Sequence, residues 1–187
     1  MKRKTAREIL VDAFREVAGS KDVDKITVKD ITENCGYSTA TFYRHFRDKY
    51  DLIVWSYTQA VTATMGQIGR EGYTWAHTLL EGARFFDRHR DVLANLLLHT
   101  SGHDAFVQHM SEVNYQALKD HVLKSTGREA LDVTTDMYVR MYCMGTVCLT
   151  CEWILGRYPI SPEELAEVYK ACLPKPLHPL LLRDETN

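Results

Sequence analysis

The sequence predicts an all-α fold, a small three-helix head followed by a larger helical bundle. Three observations carry this. Apolar residues recur every three or four positions over nearly the whole chain, the period of one helix face. Ser, Thr and Asp at helix starts, with Gly and Pro at helix ends, cut that pattern into segments. No segment alternates apolar and polar residues with the period of two that a half-buried strand shows, and no repeat or low-complexity tract interrupts the pattern.

The first helix is predicted over Lys2 to Ala18, with Ile9, Leu10, Ala13, Phe14 and Val17 in one stripe and Gly19 at its end. Its basic start, Lys2, Arg3, Lys4 and Arg7, either reaches phosphates or is a solvated, frayed end. Thr27 is suited to cap a second helix, and Asp30 three residues on makes an Asp form of the capping box. Val28 and Ile31 share one face of it. Gly36 follows where a chain leaving a short helix needs positive φ. Ser38 is suited to cap a third helix. Phe42 and Phe46, four residues apart, anchor one side of it against Ile31 and the first helix. Its other side offers Thr39, Ala40, Tyr43, Arg44 and His45. Two short helices joined by a tight Gly turn, the second with a polar and aromatic outer face, form a helix-turn-helix. The second helix of such a motif is the one that enters a major groove.

Asp48 is placed to cap a long helix to about Gly69, with Leu52, Ile53, Trp55, Ala60, Val61 and Met65 as its apolar positions. It is about 30 Å long at 1.5 Å per residue. No Pro/Ser-rich linker precedes it, which predicts rigid coupling of head to body. Further helices are predicted over Trp75 to His89, Asp91 to His99, His103 to Thr126 and Ala130 to Arg157, separated by Gly102, Gly127 and Pro159. Ser161 with Pro162 and Glu164 is the clearest helix start in the chain. Beyond it, Pro174, Pro176 and Pro179 predict a tail without regular helix. The domain division expected is 1–47 and 48–187. The helix over 130–157 is apolar nearly all round in its second half: Met141, Tyr142, Met144, Val147, Cys148, Leu149, Cys151, Trp153, Ile154 and Leu155. Such a helix must be covered on every side, by a second chain or by its own core.

The run GYSTATFYRHFRDKYDL at 36–52 resembles the signature of the TetR family of transcriptional regulators. Gly36, Ser38, Thr41, Phe42, Tyr43, His45, Phe46 and Lys49 stand in its register, and the resemblance covers residues 5–55. It implies a three-helix helix-turn-helix DNA-binding head on a helical-bundle body for ligand binding and dimerisation. It implies a sequence-specific DNA-binding regulator, read here as a repressor. Such a protein binds a palindromic operator as a homodimer and is released by a small-molecule effector. By the resemblance Tyr43, His45 and Lys49 contact phosphates, which set register without carrying sequence information. Thr39, Ala40 and Thr41 face base edges, where a methyl suits thymine. Ser38 opens this helix, Thr27 and Lys29 lie along the backbone, and Arg44 reaches a guanine, a phosphate or only solvent. The last two long helices are implied to form the dimer interface through Val147, Cys151, Ile154, Leu165, Val168, Tyr169 and Cys172. A ligand pocket is sought among Trp75, Phe85, Phe86, His99, Phe106, Tyr138 and Met141, each of which also suits plain core packing. The late Cys-Glu-Trp-Ile and S-P-E-E-L-A stretches resemble a TetR subgroup that includes a dihydroxyacetone-kinase operon regulator. A co-activator or interaction module with the same fold and no effector of its own is the alternative.

Composition agrees with this and excludes other classes. Net charge is −2, yet residues 1–50 balance at +3 and the remainder at −5, a mildly basic end on an acidic body. MKRKTAREIL precedes no long apolar run, so no secretory signal is expected. The run from Met137 to Leu155 is broken by Arg140 and Glu152, so no membrane partner is expected. Five cysteines, an odd number without an export signal, read as reduced thiols in a cytoplasm. Cys143, Cys148 and Cys151 do not converge on a metal, because the first two sit about 140° apart on a helix at 100° per residue. With no Gly-rich phosphate loop, no G-x-S-x-G and no H-E-x-x-H, neither enzymatic activity nor a cofactor is expected.

Overall fold

The structure, a computed structural model, describes residues 4–99 and 103–182, apart from the side chains of Asp24, Val92, Asn95, Leu96, His99 and residues 103–106. Among the described residues every regular element is helical: α1 Ala6–Ala18, α2 Val28–Cys35, α3 Thr39–His45, α4 Lys49–Met65, α5 Trp75–Arg88, α6 Arg90–His99, α7 His103–Thr126, α8 Val133–Ile154, α9 Pro162–Ala171 and α10 His178–Leu181. No described helix is long and apolar enough to cross a membrane. The chain forms two compact units, Met1–Gln59 with Asp91–His103, and Ala60–Arg90 with Asp104–Asn187. The division therefore falls inside α4 rather than before it. The first turns of α4 bury Leu52, Ile53 and Tyr57 within the first unit, and composition gives no sign of that.

In the first unit α1 starts after Thr5, later than the expected Lys2. The Thr5 hydroxyl accepts the Glu8 N–H at 3.3 Å, and the Glu8 carboxylate accepts the Thr5 N–H at 2.6 Å. This capping box satisfies two donors that a helix start otherwise leaves free. α1 packs on α2 and α3. Leu10, Ile31, Phe42 and Leu52 are fully buried, with Phe14 and Phe46 nearly so.

In the second unit α5 lies along α9, and their exposed faces are tied by Arg84 and Glu163 at 2.9 Å. Trp75, Tyr115, Leu118, Val122, Val139 and Tyr142 form the core of α5, α7 and α8. The proline-rich tail joins this core. Lys175–Leu177 forms a 3-10 turn and His178–Leu181 a short helix, sending Leu173, Leu177 and Leu181 into it. Proline stops a helix already running, but at a helix start its missing N–H costs nothing. The apolar leucines here had somewhere to go.

α8 is not covered all round. It starts after Asp132, whose carboxylate accepts the Thr135 N–H at 2.9 Å, and it ends at Ile154. One face is buried through Val139, Tyr142, Cys143, Val147, Thr150, Cys151, Trp153 and Ile154. The other exposes Val133, Met137, Met141 and Met144, at 78%, 62%, 71% and 52%. With the exposed Cys148 these fall within about 80° of arc at 100° per residue. Val168 of α9 and Cys172, which follows it, are also exposed.

Candidate nucleic-acid interface

The helix-turn-helix is built by local bonds. Thr27 and Asp30 form a reciprocal capping box at the start of α2, with Thr27 N–H to the Asp30 carboxylate at 2.7 Å and Asp30 N–H to the Thr27 hydroxyl at 3.2 Å. Lys21 donates to the same carboxylate at 2.7 Å and ties the incoming loop to the helix. Lys21, then the Thr27 N–H, then the Thr27 hydroxyl hold Asp30 well below the usual carboxylate range. A depressed folded-state pKa contributes stability above the unfolded value, about 4, and that contribution is lost as pH falls below it. Between pH 6 and pH 2 the melting temperature is expected to fall for the wild type and to fall less for Asp30→Asn, which starts lower at pH 6. Thermal melts followed by circular dichroism check this; parallel curves would remove Asp30 from the account.

Gly36 adopts φ of 71° and turns the chain, with Tyr37 N–H donating to Thr32 O at 2.9 Å. At that φ a Cβ crowds the following carbonyl oxygen, at a cost of about 1–2 kcal/mol that glycine avoids. Ser38 then caps α3 by accepting the Thr41 N–H at 3.1 Å. Phe42 stacks at a tilt with Phe46, ring centres 5.8 Å apart, and both are buried. Anchoring this side leaves the other outward. Ser38, Thr39, Ala40, Tyr43 and Arg44 are exposed, with Thr41 and His45 half-buried at the edge. Tyr43 is 60% exposed although its ring meets Phe42 edge-on. Arg44 makes only a long contact, 3.4 Å, to the Thr41 hydroxyl. Thr27 and Lys29 sit at the exposed start of α2. The structure thus presents one continuous outer face from the α3 residues singled out by sequence.

Lys49 is tied to the turn that precedes α2. Its ammonium does not point away from the chain but donates to Val23 O at 2.6 Å and Ile26 O at 3.0 Å. Those carbonyls bracket the 3-10 turn Val23–Lys25, and Val23 O also accepts the Ile26 N–H at 3.2 Å. A sequence motif shows that a lysine is present but not which acceptor lies within its reach.

In the body, the expected sites do not assemble as a group. Val147, Cys151, Ile154, Leu165 and Tyr169 are buried within their own chain, which corrects their assignment to a surface offered to a partner. Tyr169 shows why: its hydroxyl bonds the Thr150 hydroxyl at 2.7 Å and Thr146 O at 3.1 Å, while its carbonyl accepts from Tyr142 at 2.8 Å. Burial pushes the Cys143 and Cys151 thiols up to about 12, so both stay protonated and inert. Of the seven, Val168 and Cys172 are exposed.

The pocket residues likewise separate. Trp75 lies in the α5, α7 and α8 core with Tyr138 packed against it. Phe85 and Phe86 meet each other edge-on at 5.7 Å, about 15 Å further along α5 at 1.5 Å per residue. Phe85 also lies against the His89 ring at 4.5 Å. Met141 points outward, which removes it from any interior lining. The side chains of His99 and Phe106 lie outside the described residues.

The chain matches the family model described as bacterial regulatory proteins, tetR family, over residues 10–54, which is the helix-turn-helix unit. It matches a second model, a transcriptional regulator C-terminal region, over residues 73–174, more than half of the chain. No curated protein matches it by sequence. Among solved structures it is similar to the dihydroxyacetone kinase operon activator DhaS, at 18% identity and a TM-score of 0.64, covering 94% of this chain and 97% of that one. It is similar also to a TetR transcriptional regulator from Rhodococcus sp. RHA1, at 17% identity and 0.62, covering 88% and 91%. A third is Thermus thermophilus FadR, a TetR family transcriptional repressor solved in complex with lauroyl-CoA, at 18% identity and 0.61, covering 89% and 92%. At such identities these likenesses establish the fold. With both family models matched along the chain, and a helix-turn-helix closed at each local joint, the protein belongs to the TetR family of bacterial transcriptional regulators.

Proposed function

We propose that the chain is a repressor that binds a palindromic DNA operator as a homodimer and is released by a small molecule bound in its body. The observation that carries the reading is α3, whose buried phenylalanines leave an outer face of small hydroxyl and methyl groups bordered by Tyr43 and Arg44. Thr39, Ala40 and Thr41 suit base edges, and Tyr43 and His45 suit phosphates. One helix of seven residues spans few base pairs, so a two-fold pair of them is needed for a selective site. The apolar stripe of α8 supports that pairing. Val133, Met137, Met141, Met144 and Cys148 form a face that a second copy covers. Occupation of DNA by such a dimer excludes other proteins, hence repression. For the effector, the α5, α7 and α8 core that holds Trp75, with Tyr138 packed against it, is the region in which a site is sought. α4, shared between the two units, is the element through which occupancy acts on the head.

The test is to select genomic DNA fragments retained by the purified protein at physiological salt, with Tyr43→Ala as control and Met141→Glu/Met144→Glu as a second variant. A two-fold-symmetric sequence retained by the wild type alone is expected. The double glutamate variant is expected to run as a monomer in analytical ultracentrifugation and to lose the site. No enriched sequence would overturn the reading of α3, and a dimeric double variant would overturn the assignment of the α8 stripe.

A further inference from the structure

We infer that Met137, Met141 and Met144 form an oxidation-sensitive modification site: a peroxide converts their thioethers to sulfoxides, and a chain so modified no longer pairs with a second copy. The inference rests on the homodimer reading above and adds how that pairing is controlled.

Burial divides the methionines. Among the described residues Met110 is buried in α7, and Met65 is half-buried against the body core. Met137, Met141 and Met144 all stand exposed, and all three lie on α8. At 100° per residue they fall within about 60° of arc, with Val133 and Cys148 on the same side. The flanking charges turn elsewhere. Arg140 donates to Glu112 at 3.1 Å and lies over the Tyr115 ring at 3.9 Å, and Asp136 accepts the Tyr115 hydroxyl. Both partners belong to α7, so these charges are drawn away and the stripe itself carries only apolar and sulfur side chains.

A thioether suits this role because its two oxidation states differ in the property that pairing uses. Unoxidised methionine is apolar, flexible and polarisable, and it adapts to an irregular partner surface. Oxidised, the same side chain carries a polar sulfoxide. With hydrogen peroxide a sulfur lone pair attacks one peroxide oxygen, and the S–O bond forms as the O–O bond breaks. Sulfur gives up two electrons, and the other peroxide oxygen leaves with both protons as water. A two-fold pair sets the same stripe on itself. Covering a sulfoxide oxygen with that stripe strands it, because the stripe offers no strong donor. Each oxygen so stranded is expected to weaken pairing about tenfold or more. The thioethers are open in a single chain and covered in a pair, so the reaction captures chains before they pair.

The test compares the wild type with Met137→Leu/Met141→Leu/Met144→Leu, in which leucine keeps the apolar bulk and removes the oxidisable sulfur. Each protein is treated with hydrogen peroxide in dilute solution, then with dithiothreitol to restore its thiols. Peptide mapping by mass spectrometry is expected to place one added oxygen on each of the three methionines. In sedimentation equilibrium the dimer dissociation constant of the wild type is expected to rise at least about tenfold over its untreated value. It is expected to return after treatment with the two methionine sulfoxide reductases, one for each epimer. The leucine variant, compared with its own untreated form, is expected not to change. Three sulfoxides with an unchanged dissociation constant, methionines that resist peroxide, or an equal loss in the leucine variant each overturn the inference. If that variant does not fold, reversal by the reductases decides alone. An untreated wild type that is monomeric at every concentration brings down the pairing reading itself, a result distinct from those.

Discussion

Phe42→Ala is expected to unfold the helix-turn-helix and abolish any DNA binding, although it removes no atom from the outer face of α3. Phe42 is fully buried, and its ring meets Phe46 at 5.8 Å and Tyr43 at 5.6 Å. Removing a buried phenyl ring costs about 3–5 kcal/mol, the lost transfer energy plus the cavity left behind. A unit of this size draws only about 3–5 kcal/mol from its core, so the substitution removes most of what holds it. Trp55 is a built-in reporter, since its ring lies 5.9 Å from Phe46. Its fluorescence should shift to that of a solvated indole at temperatures where the wild type is folded. Phe42→Leu, which keeps most of the volume, should cost less than about 1.5 kcal/mol and retain binding. A Phe42→Ala protein that melts with the wild type would mean that α3 is held by something other than its phenylalanine face.

Trp153→Ala is expected to destabilise the body by about 3–5 kcal/mol, for a different reason. Trp153 is fully buried near the end of α8, and its indole N–H donates to Ile160 O at 2.8 Å, fixing the connection into α9. Arg90 lies over the ring at 4.0 Å and donates to Trp153 O at 2.6 Å, so it adds a charged donor to a helix-end carbonyl that also accepts the Gly156 N–H, and stacks on the same residue. Trp153→Ala removes the packing, the Ile160 bond and the stacking together. Trp153→Phe removes chiefly the N–H and should cost about 1 kcal/mol. Urea unfolding followed by circular dichroism separates the two. Equal losses in both variants would place the whole effect in the hydrogen bond and none in packing.

The parts of the chain that were legible beforehand share one property: their bonds close within four residues. Thr27 with Asp30, Ser38 with Thr41, Gly36 at positive φ, and Ser161 with Glu164 are each decided by neighbours in sequence. The two phenylalanines of α3 belong with them, because a spacing of four puts them on one side before any partner is known. Thr5 with Glu8 has the same form and sets the start of α1 at Ala6.

What the sequence by itself determined is therefore most of the helices, the caps of α2, α3 and α9, and which residues of α3 lie opposite its phenylalanines. Tertiary structure alone decided which side of an apolar helix is used and which partner a long charged side chain finds. Val147 and Met144 are both apolar residues of α8, yet one is buried and the other half exposed, because burial depends on where α5, α7 and α9 lie. The prolines of the tail predict an irregular end, yet its leucines complete a core that includes Trp75, about a hundred residues earlier. Lys49 is bound by carbonyls more than twenty residues away in sequence. Local hydrogen bonds are written into adjacent residues, whereas burial and long-range charge pairing exist only once distant segments have been brought together.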